Sequence, residues 1–413
     1  MPERWFYAVG DERRGPVEPE ALGRLIRDGQ VWRSTLVWTK EMADWAPAGS
    51  MPRLAEFFAS RPADETAPPL PRRSVGGVLH GIGRKLSDLA DLPTITRMPV
   101  REILMGGLSR ATRPEDMEET FAAGTAATTP PLSEIPAGWP APRVFWRIFG
   151  AAVATYVLLR VGVTTFDNPN FIPGLIVIGS FVVPLSVVIL FFELNTPRNV
   201  SVYQVGKLLL LGGALSLIAT SFLSRVLPGS GVGDVVPALL TGVVEETGKA
   251  LALLIVVGAL RYRWQLNGLL FGAAVGAGFA GFESAGYAFN YARTLDETFG
   301  TILFRGTLAP GGHVIWTAIV GSAIWKAKGD RPFEARMLLA PVVVRRWSIA
   351  VLLHGLWDTS TRLPYLKWAI LSILGWYVVL GILTQALDEV EQAKKSAAGP
   401  SPAPAAETVE PAV

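Results

Sequence analysis

The sequence predicts an all-α polytopic membrane bundle of about eight transmembrane helices, preceded by a small α+β domain. Three observations support this fold class. Residues 144–387 contain only 12% charged residues, compared with 26% in residues 1–143 and about 25% in an average soluble domain. The same region contains apolar stretches of 18 or more residues, a length that crosses a bilayer. The N-terminal residues instead show short aromatic runs of β character around a helical pattern.

The composition divides the chain into four parts. Residues 4–57 are predicted to form the small domain, and residues 144–387 the membrane bundle. Residues 58–143 are rich in Pro, Ala, Thr and Arg, which bury too little apolar surface to fold. We therefore expect a disordered linker there, with room for short amphipathic helices on the membrane surface. Residues 388–413 are rich in Ala and Pro and are predicted to be a disordered tail.

The small domain resembles the bacterial GYF-like domains. The resemblance rests on four motifs, which are WFY at 5–7, GPV at 15–17, LVW at 36–38 and MADWAP at 42–47. GYF domains bind proline-rich peptides on an aromatic surface, so the resemblance implies that Trp5, Tyr7 and Trp38 contact a peptide. The alternative is that these aromatic side chains form the core of a very small domain.

The membrane bundle is predicted from apolar stretches that follow one another closely. They lie at about 144–166, 171–194, 203–227, 235–260, 266–291, 302–327, 340–360 and 367–387. We expect Arg345 and Arg346 to mark the edge of the seventh span, which would then begin near Trp347. Loops on the side of the N-terminus carry eight Lys or Arg residues, and those on the other side carry five, including Arg305. This bias places both termini in the cytoplasm and the bundle in a bacterial-type cytoplasmic membrane.

Composition also excludes several classes of function. The chain has no cysteine, which excludes disulfides, thiolate metal sites and a cysteine nucleophile. A net charge of +3 argues against a nucleic-acid partner, whose binding would need a basic face. The chain has three histidines, and two of them, His313 and His354, lie in the apolar region.

Ionisable residues occur in four consecutive spans, although each costs at least about 2.5–3.5 kcal/mol at the bilayer centre. The fourth span contains Glu245, Glu246 and Lys249. Lys249 lies at i,i+4 and i,i+3 from the two glutamates, so it can pair with either of them. One ion pair that locks two helices together would explain two of these charges and leave the third unexplained.

The next three spans each add a polar group. Glu283 and Tyr287 share one face of the fifth span, and His313 follows a Pro-Gly-Gly break in the sixth. His354 and Asp358 are at i,i+4 in the seventh span, where a carboxylate can fix the tautomer of an imidazole. The spacing therefore predicts one polar cavity within the bundle.

Two or more carboxylates with two imidazoles suit the activation of water for hydrolysis. The same groups could instead hold a divalent metal such as Zn, with Glu246, His313 and His354 as ligands. The sequence contains neither G-x-S-x-G nor H-E-x-x-H, so it lacks the serine-hydrolase elbow and the zincin motif.

The order EETGK (245–249), GFAGFES (278–284), a His-bearing span and LLHGLWD (352–358) resembles the PrsW family of intramembrane proteases, which is distantly related to the CAAX-protease and bacteriocin-processing superfamily. The resemblance covers roughly residues 200–387. It implies catalytic roles for Glu245, Glu246, Glu283, His313, His354 and Asp358, supported by Lys249, Tyr287 and Ser284. The family commonly has asparagine where Ser284 stands, which could alter substrate positioning. The resemblance leaves a metal-dependent and a glutamate-dependent mechanism open.

The predicted function is hydrolysis of peptide bonds in membrane-associated proteins at the lipid bilayer, with a cytoplasmic module that binds a proline-rich partner. The alternatives are a proton-coupled transporter, since intramembrane Glu, His and Lys also build proton relays, and a catalytically inactive scaffold.

Overall fold

The structure is a computed structural model. It describes residues 4–9, 12–42, 44–58, 85–93, 121–125, 127–136, 138–257, 262–290 and 294–398. The chain divides into two compact units, Met1–Ile82 and Gly83–Val413.

The first unit is a four-stranded antiparallel sheet with a helix packed on it. Its elements are β1 (Trp5–Val9), β2 (Glu12–Val17), α1 (Pro19–Arg27), β3 (Leu36–Thr39), β4 (Ala46–Pro47) and α2 (Ala55–Phe58). The strand order is β2-β1-β3-β4. This arrangement confirms the predicted small α+β domain.

Strand alternation decides which aromatic residues of this unit form its core. Trp5 and Tyr7 point to the same face of β1, where they are only 2% and 8% exposed and pack with Leu22 of α1. Phe6 points to the opposite face, beside its register partner Trp38. Two of the three residues predicted to contact a peptide are therefore core residues, and Trp38 lies on the other face of the sheet.

The second unit is a helical bundle. Its helices are α3 (Phe145–Thr164), α4 (Ile172–Leu194), α5 (Val202–Lys207), α6 (Gly213–Val226), α7 (Val235–Val257), α8 (Gln265–Asn290), α9 (Leu295–Leu308), α10 (His313–Lys328), α11 (Pro341–Asp358) and α12 (Pro364–Ala398). A π-helical turn, Leu208–Gly212, joins α5 to α6, and a 3₁₀ turn, Ala309–Gly311, separates α9 from α10.

Six helical segments of the described chain are long and apolar enough to cross a membrane. They are Phe145–Thr164, Pro169–Leu194, Val202–Val226, Gln265–Asn290, Leu295–Lys328 and Pro364–Ala397. The fourth and seventh predicted stretches are also helical, as α7 and α11, and they carry the Glu-Glu-Lys and Arg-Arg sequences. α11 begins at Pro341, before the expected Trp347, and Arg346 is fully buried within the bundle.

α8 lies at the centre of the bundle and packs against α10, α4, α6 and α7. Its glycines permit this close packing. At Gly278, for example, a Cβ atom would lie 1.9 Å from the carbonyl oxygen of Leu209. The glutamate-bearing end of α8 is thereby brought against the neighbouring helices.

Parts of the predicted linker pack on the bundle. Residues 85–93, which we call the strap, include a helical segment at 85–90 and place Ala90 out of contact with solvent. The ring of Phe121 stacks on Phe192 with centroids 5.9 Å apart, and Lys394 Nζ donates to Ile135 O at 2.8 Å. These parts of the linker belong to the folded unit.

Candidate functional site

A cavity of about 270 Å³ lies among α7, α8, α9, α10 and α11, beside the loop at 230–232. Its walls include seven of the predicted site residues, namely Glu245, Glu283, Ser284, Tyr287, His313, His354 and Asp358. Glu246 and Lys249 lie directly behind this wall and are fully buried. The structure therefore brings the ionisable groups of four consecutive predicted spans into one cluster.

Lys249 is the centre of this cluster. Its Nζ atom lies 3.1 Å from Glu245 Oε2, 2.8 Å from Glu246 Oε1 and 2.8 Å from His313 Nδ1. An ammonium has three N–H donors, so these three contacts use all of them. The ring of Phe279 covers the ammonium at 4.0 Å from its centroid. Lys249 thus holds two carboxylates of α7 and an imidazole of α10 in one arrangement.

These contacts determine the tautomer of His313. Because Lys249 can only donate, Nδ1 of His313 is the acceptor, and the ring proton is on Nε2. Nε2 lies 3.1 Å from Glu283 Oε2, which accepts that proton in a hydrogen bond. Both nitrogens of His313 are therefore engaged by neighbouring charged side chains.

His354 has a different arrangement. Its Nδ1 lies 2.9 Å from Glu246 Oε1, so it donates to that carboxylate. Its Nε2 lies 3.6 Å from Glu245 Oε2 and 3.4 Å from Asp358 Oδ2. The ring stacks on Trp316, with centroids 4.5 Å apart and an interplanar angle of 23°. His354 is thus fixed on two sides, and its second nitrogen lies between two carboxylates that line the cavity.

The two glutamates of α7 differ in their surroundings. The Glu246 side chain has no exposed surface, and its oxygens accept from Lys249, from His354 and from Thr317 Oγ1 at 3.4 Å. The Glu245 side chain is 13% exposed and lines the cavity. Glu245 is therefore the α7 carboxylate that can meet a molecule in the cavity.

Arg305 of α9 is a cavity residue that sequence analysis did not select. Its Nη2 donates to Glu283 Oε2, and its Nε donates to Ser284 Oγ at 2.8 Å. The guanidinium lies over the ring of Tyr287, 4.4 Å from its centroid. Sequence analysis counted Arg305 as a loop charge, because only a contact across two helices shows that it faces the site. Thr317 was missed for the same reason.

The charges of the cluster do not cancel when both imidazoles are neutral. Glu245, Glu246, Glu283 and Asp358 supply four negative charges, whereas Lys249 and Arg305 supply two positive charges. One divalent cation would balance the remainder, whereas protonation of His354 would offset half of it, and His313 stays neutral while its Nδ1 accepts from Lys249. The site can therefore attract and hold positive charge.

Three side chains have the spacing of a metal site. Ligand atoms of Glu245, His313 and His354 lie within 4.8 Å of one another. Glu246, predicted as a ligand, is not in this group, because Glu245 occupies the position facing the cavity. Lys249 lies against His313 Nδ1 and Glu245 Oε2, so an ion bound by all three ligands requires its ammonium to move or lose its proton.

Comparison with known proteins finds relatives of both units, in agreement with the sequence motifs. Residues 200–384 match the family described as PrsW family intramembrane metalloprotease, and residues 5–54 match GYF domain 2. A curated relative, "Protease PrsW" of Clostridioides difficile (strain 630), is 27% identical over 157 residues. The aligned region covers 37% of this chain and 62% of that relative, so the chain spans less than two thirds of its length. No solved structure matches. These matches confirm the two resemblances predicted from the motifs.

Proposed function

We propose that the bundle is an intramembrane protease of the PrsW family that hydrolyses peptide bonds with water activated in the polar cavity. The observation that carries the proposal is the pairing of Glu245 Oε2 with His354 Nε2, 3.6 Å apart at the cavity wall. A carboxylate and an imidazole at this separation can both contact one small reacting group from the same wall of the cavity.

Glu245 is assigned as the general base, because it is the α7 glutamate that lines the cavity. It takes a proton from water as the water oxygen bonds to the scissile carbonyl carbon. The resulting oxyanion is stabilised by protonated His354. The C–N bond then breaks, and the proton passes to the leaving nitrogen, so that one acid and one amine are formed from one water molecule.

Glu246 is assigned as a positioning residue for His354 and Lys249. Its buried carboxylate accepts from both side chains, which fixes the His354 ring so that Nε2 meets the cavity. A divalent ion held by Glu245 and His354, and by His313 once Lys249 released Nδ1, would supply water activation as a Lewis acid.

The test uses the purified full chain in liposomes with a panel of fluorescently labelled single-span membrane proteins. Cleavage in ¹⁸O-water should add one labelled oxygen to each new carboxyl group. Glu245→Gln should abolish cleavage, whereas Glu334→Gln, a change at a surface loop, should not alter it. Full cleavage by Glu245→Gln would disprove the assignment of Glu245 as general base.

Elemental analysis and chelation of the same sample distinguish the metal-dependent from the glutamate-dependent mechanism. Stoichiometric zinc together with chelator-sensitive cleavage favours the metal-dependent mechanism.

A second function is supported by the first unit. We propose that the exposed face of its sheet binds proline-rich peptides through Phe6, Trp38 and Trp45. The ring centroids of Phe6 and Trp38 are 5.8 Å apart, those of Trp38 and Trp45 are 6.5 Å apart, and Arg13 lies over Phe6 at 4.4 Å. A row of aromatic rings of this kind suits a polyproline helix.

Titration calorimetry of the full chain with a decaproline peptide tests this face. Trp45→Ala should weaken binding at least tenfold, and Arg24→Gln, a change at an exposed residue of α1 on the other side of the sheet, should leave it unchanged. Equal binding by Trp45→Ala and the unmodified chain would rule out this face.

A further inference from the structure

We infer that Arg305 is a positioning residue that holds Glu283 in place as the hydrogen-bond acceptor of His313. The inference rests on the proposed protease function. It also makes a claim about the proton on His313 that can be tested without measuring cleavage.

The first argument is that the Arg305 guanidinium makes three contacts with side chains on one face of α8. The guanidinium donates to Glu283 and to the adjacent Ser284, and it stacks on Tyr287 one turn later. The Arg305 side chain is only 24% exposed. Two directed hydrogen bonds and a ring contact restrict both the guanidinium and the Glu283 carboxylate to one orientation.

The second argument is that Arg305 and His313 share one acceptor atom. Both meet Oε2 of Glu283, with His313 Nε2 at 3.1 Å. Any rotation of the carboxylate that follows the loss of Arg305 would therefore move the acceptor away from His313. The ring proton of His313 would then lose its defined partner.

The third argument is the position of the helix break. Arg305 lies before the 3₁₀ turn Ala309–Gly311, and His313 lies after it. Glu283 of α8 therefore joins the two half-helices through one oxygen atom. Because the turn interrupts the helical backbone, this shared acceptor links α9 to α10 through side chains, in addition to the contact of Lys249 with His313.

Ser284 has a defined role in this arrangement. Its hydroxyl accepts from Arg305 Nε, so it orients the guanidinium whose Nη2 holds Glu283. An asparagine at this position also offers an acceptor oxygen through its side-chain amide. Ser284→Asn should therefore preserve the arrangement, and Ser284→Ala should weaken it.

The experiment compares Arg305→Gln, Arg305→Lys and Ser284→Ala, with Arg225→Gln as the matched control outside the site. The chain has three histidines, so ¹⁵N-histidine NMR of the full chain in lipid nanodiscs resolves the tautomer of each ring. In the unmodified chain we expect His313 to be protonated at Nε2. In Arg305→Gln we expect the Nε2 resonance of His313 to shift, because Nε2–H loses its hydrogen bond to Glu283 while Lys249 still holds the tautomer. In Arg305→Lys we expect this shift to be partly reversed.

Cleavage of the membrane-protein panel gives the second measurement. Arg305→Gln should lower kcat by about 10- to 100-fold and change its pH profile, with KM within about twofold of the unmodified value. If Arg305 only pins α9 to α8, Arg305→Gln will lower the melting temperature and leave the His313 spectrum and the pH profile unchanged. That result would overturn the inference.

The two proposals fail in different ways. Absence of cleavage by the unmodified chain would contradict the protease function, and cleavage that persists in Glu245→Gln would contradict the role of Glu245 as general base; both would leave the NMR result on His313 valid. Cleavage lost in Glu245→Gln but normal in Arg305→Gln would contradict the role of Arg305 alone. If Arg305→Gln does not fold, Ser284→Ala tests the same contact with a smaller change. An unchanged His313 spectrum in that variant counts against the inference.

Discussion

The ammonium of Lys249 lies 2.8 Å from Nδ1 of His313, and this contact joins α7 to α10 at the centre of the bundle. The same ammonium holds Glu245 and Glu246, so its three N–H donors are all used. A buried cation that is satisfied in this way fixes the geometry of its three acceptors. The stability of the bundle and the chemistry of the cavity therefore depend on the same side chain.

Lys249→Met should destabilise the bundle by about 3–5 kcal/mol, because it leaves the buried Glu246 carboxylate without its cation. The double variant Lys249→Met/Glu246→Gln should recover part of this loss, since the unpaired charge is also removed. Urea unfolding in detergent micelles gives the coupling energy between the two residues. Lys207→Met provides a control outside the cluster. Additive losses in the double variant would show that the pair is not coupled.

Lys249→Met should also raise the affinity of the cluster for zinc. Removal of the ammonium frees Nδ1 of His313 beside Glu245 and His354, whose ligand atoms already have suitable spacing. Competition with a chromophoric chelator measures this affinity in the unmodified chain and in the variant. Tighter zinc binding by the unmodified chain would mean that Lys249 does not compete with the ion.

Arg346→Gln should release the strap from the bundle. The buried guanidinium donates to Ala90 O at 3.3 Å and to Gln385 Oε1 at 2.7 Å, and the Gln385 side chain in turn donates to Asp91 O at 3.0 Å. Loss of these contacts should increase trypsin cleavage after Lys85. The neighbouring Arg345 is exposed, so Arg345→Gln is the matched control. Equal cleavage in the two variants would show that Arg346 does not hold the strap.

Gly278→Ala should destabilise the bundle by about 1–3 kcal/mol through overpacking. The added methyl group would meet the backbone of the π-helical turn at Leu209 O, which cannot rotate away as a side chain can. Gly286, on the same helix, has open space around its Cβ position. Gly286→Ala is therefore expected to be near neutral in the same unfolding measurement, and equal losses would contradict the packing argument.

Trp5→Ala should unfold the first unit, because large-to-small changes at buried aromatic residues cost about 3–5 kcal/mol. Trp45→Ala should leave the unit folded, since that ring is partly exposed and stacks on Trp38 outside the core. Limited proteolysis of the full chain, with cleavage sites mapped by mass spectrometry, distinguishes the two outcomes. Similar sensitivity in both variants would place Trp45 in the core as well.

The motifs within single helices could be predicted from the sequence. Lys249 follows Glu245 by four residues and Glu246 by three, and the 3.6-residue period alone places all three together. The period-2 alternation of strands would similarly have separated Trp5 and Tyr7 from Phe6. These relationships lie within one helix or strand, so they can be predicted from the spacing of residues along the chain.

Contacts between helices could not be predicted in this way. The sequence gives no rotation angle of one helix about its axis relative to another, so it does not show that Arg305 meets Glu283. It also does not show which of Glu245 and Glu246 faces the cavity, because both lie near the middle of α7. The burial of Arg346 depends on the strap, which lies more than 250 residues earlier in the chain.

The break before His313 makes α10 a short helix. Its 16 residues span about 24 Å at 1.5 Å per residue, whereas the hydrocarbon layer is about 30 Å thick. When its other end lies at one boundary of this layer, the polar groups at its first turn therefore sit below the opposite boundary, which a full-length span would reach. The thickness of the host bilayer should therefore affect how much water enters the cavity. Lipids with longer acyl chains should lower its water content, and lipids with shorter chains should raise it.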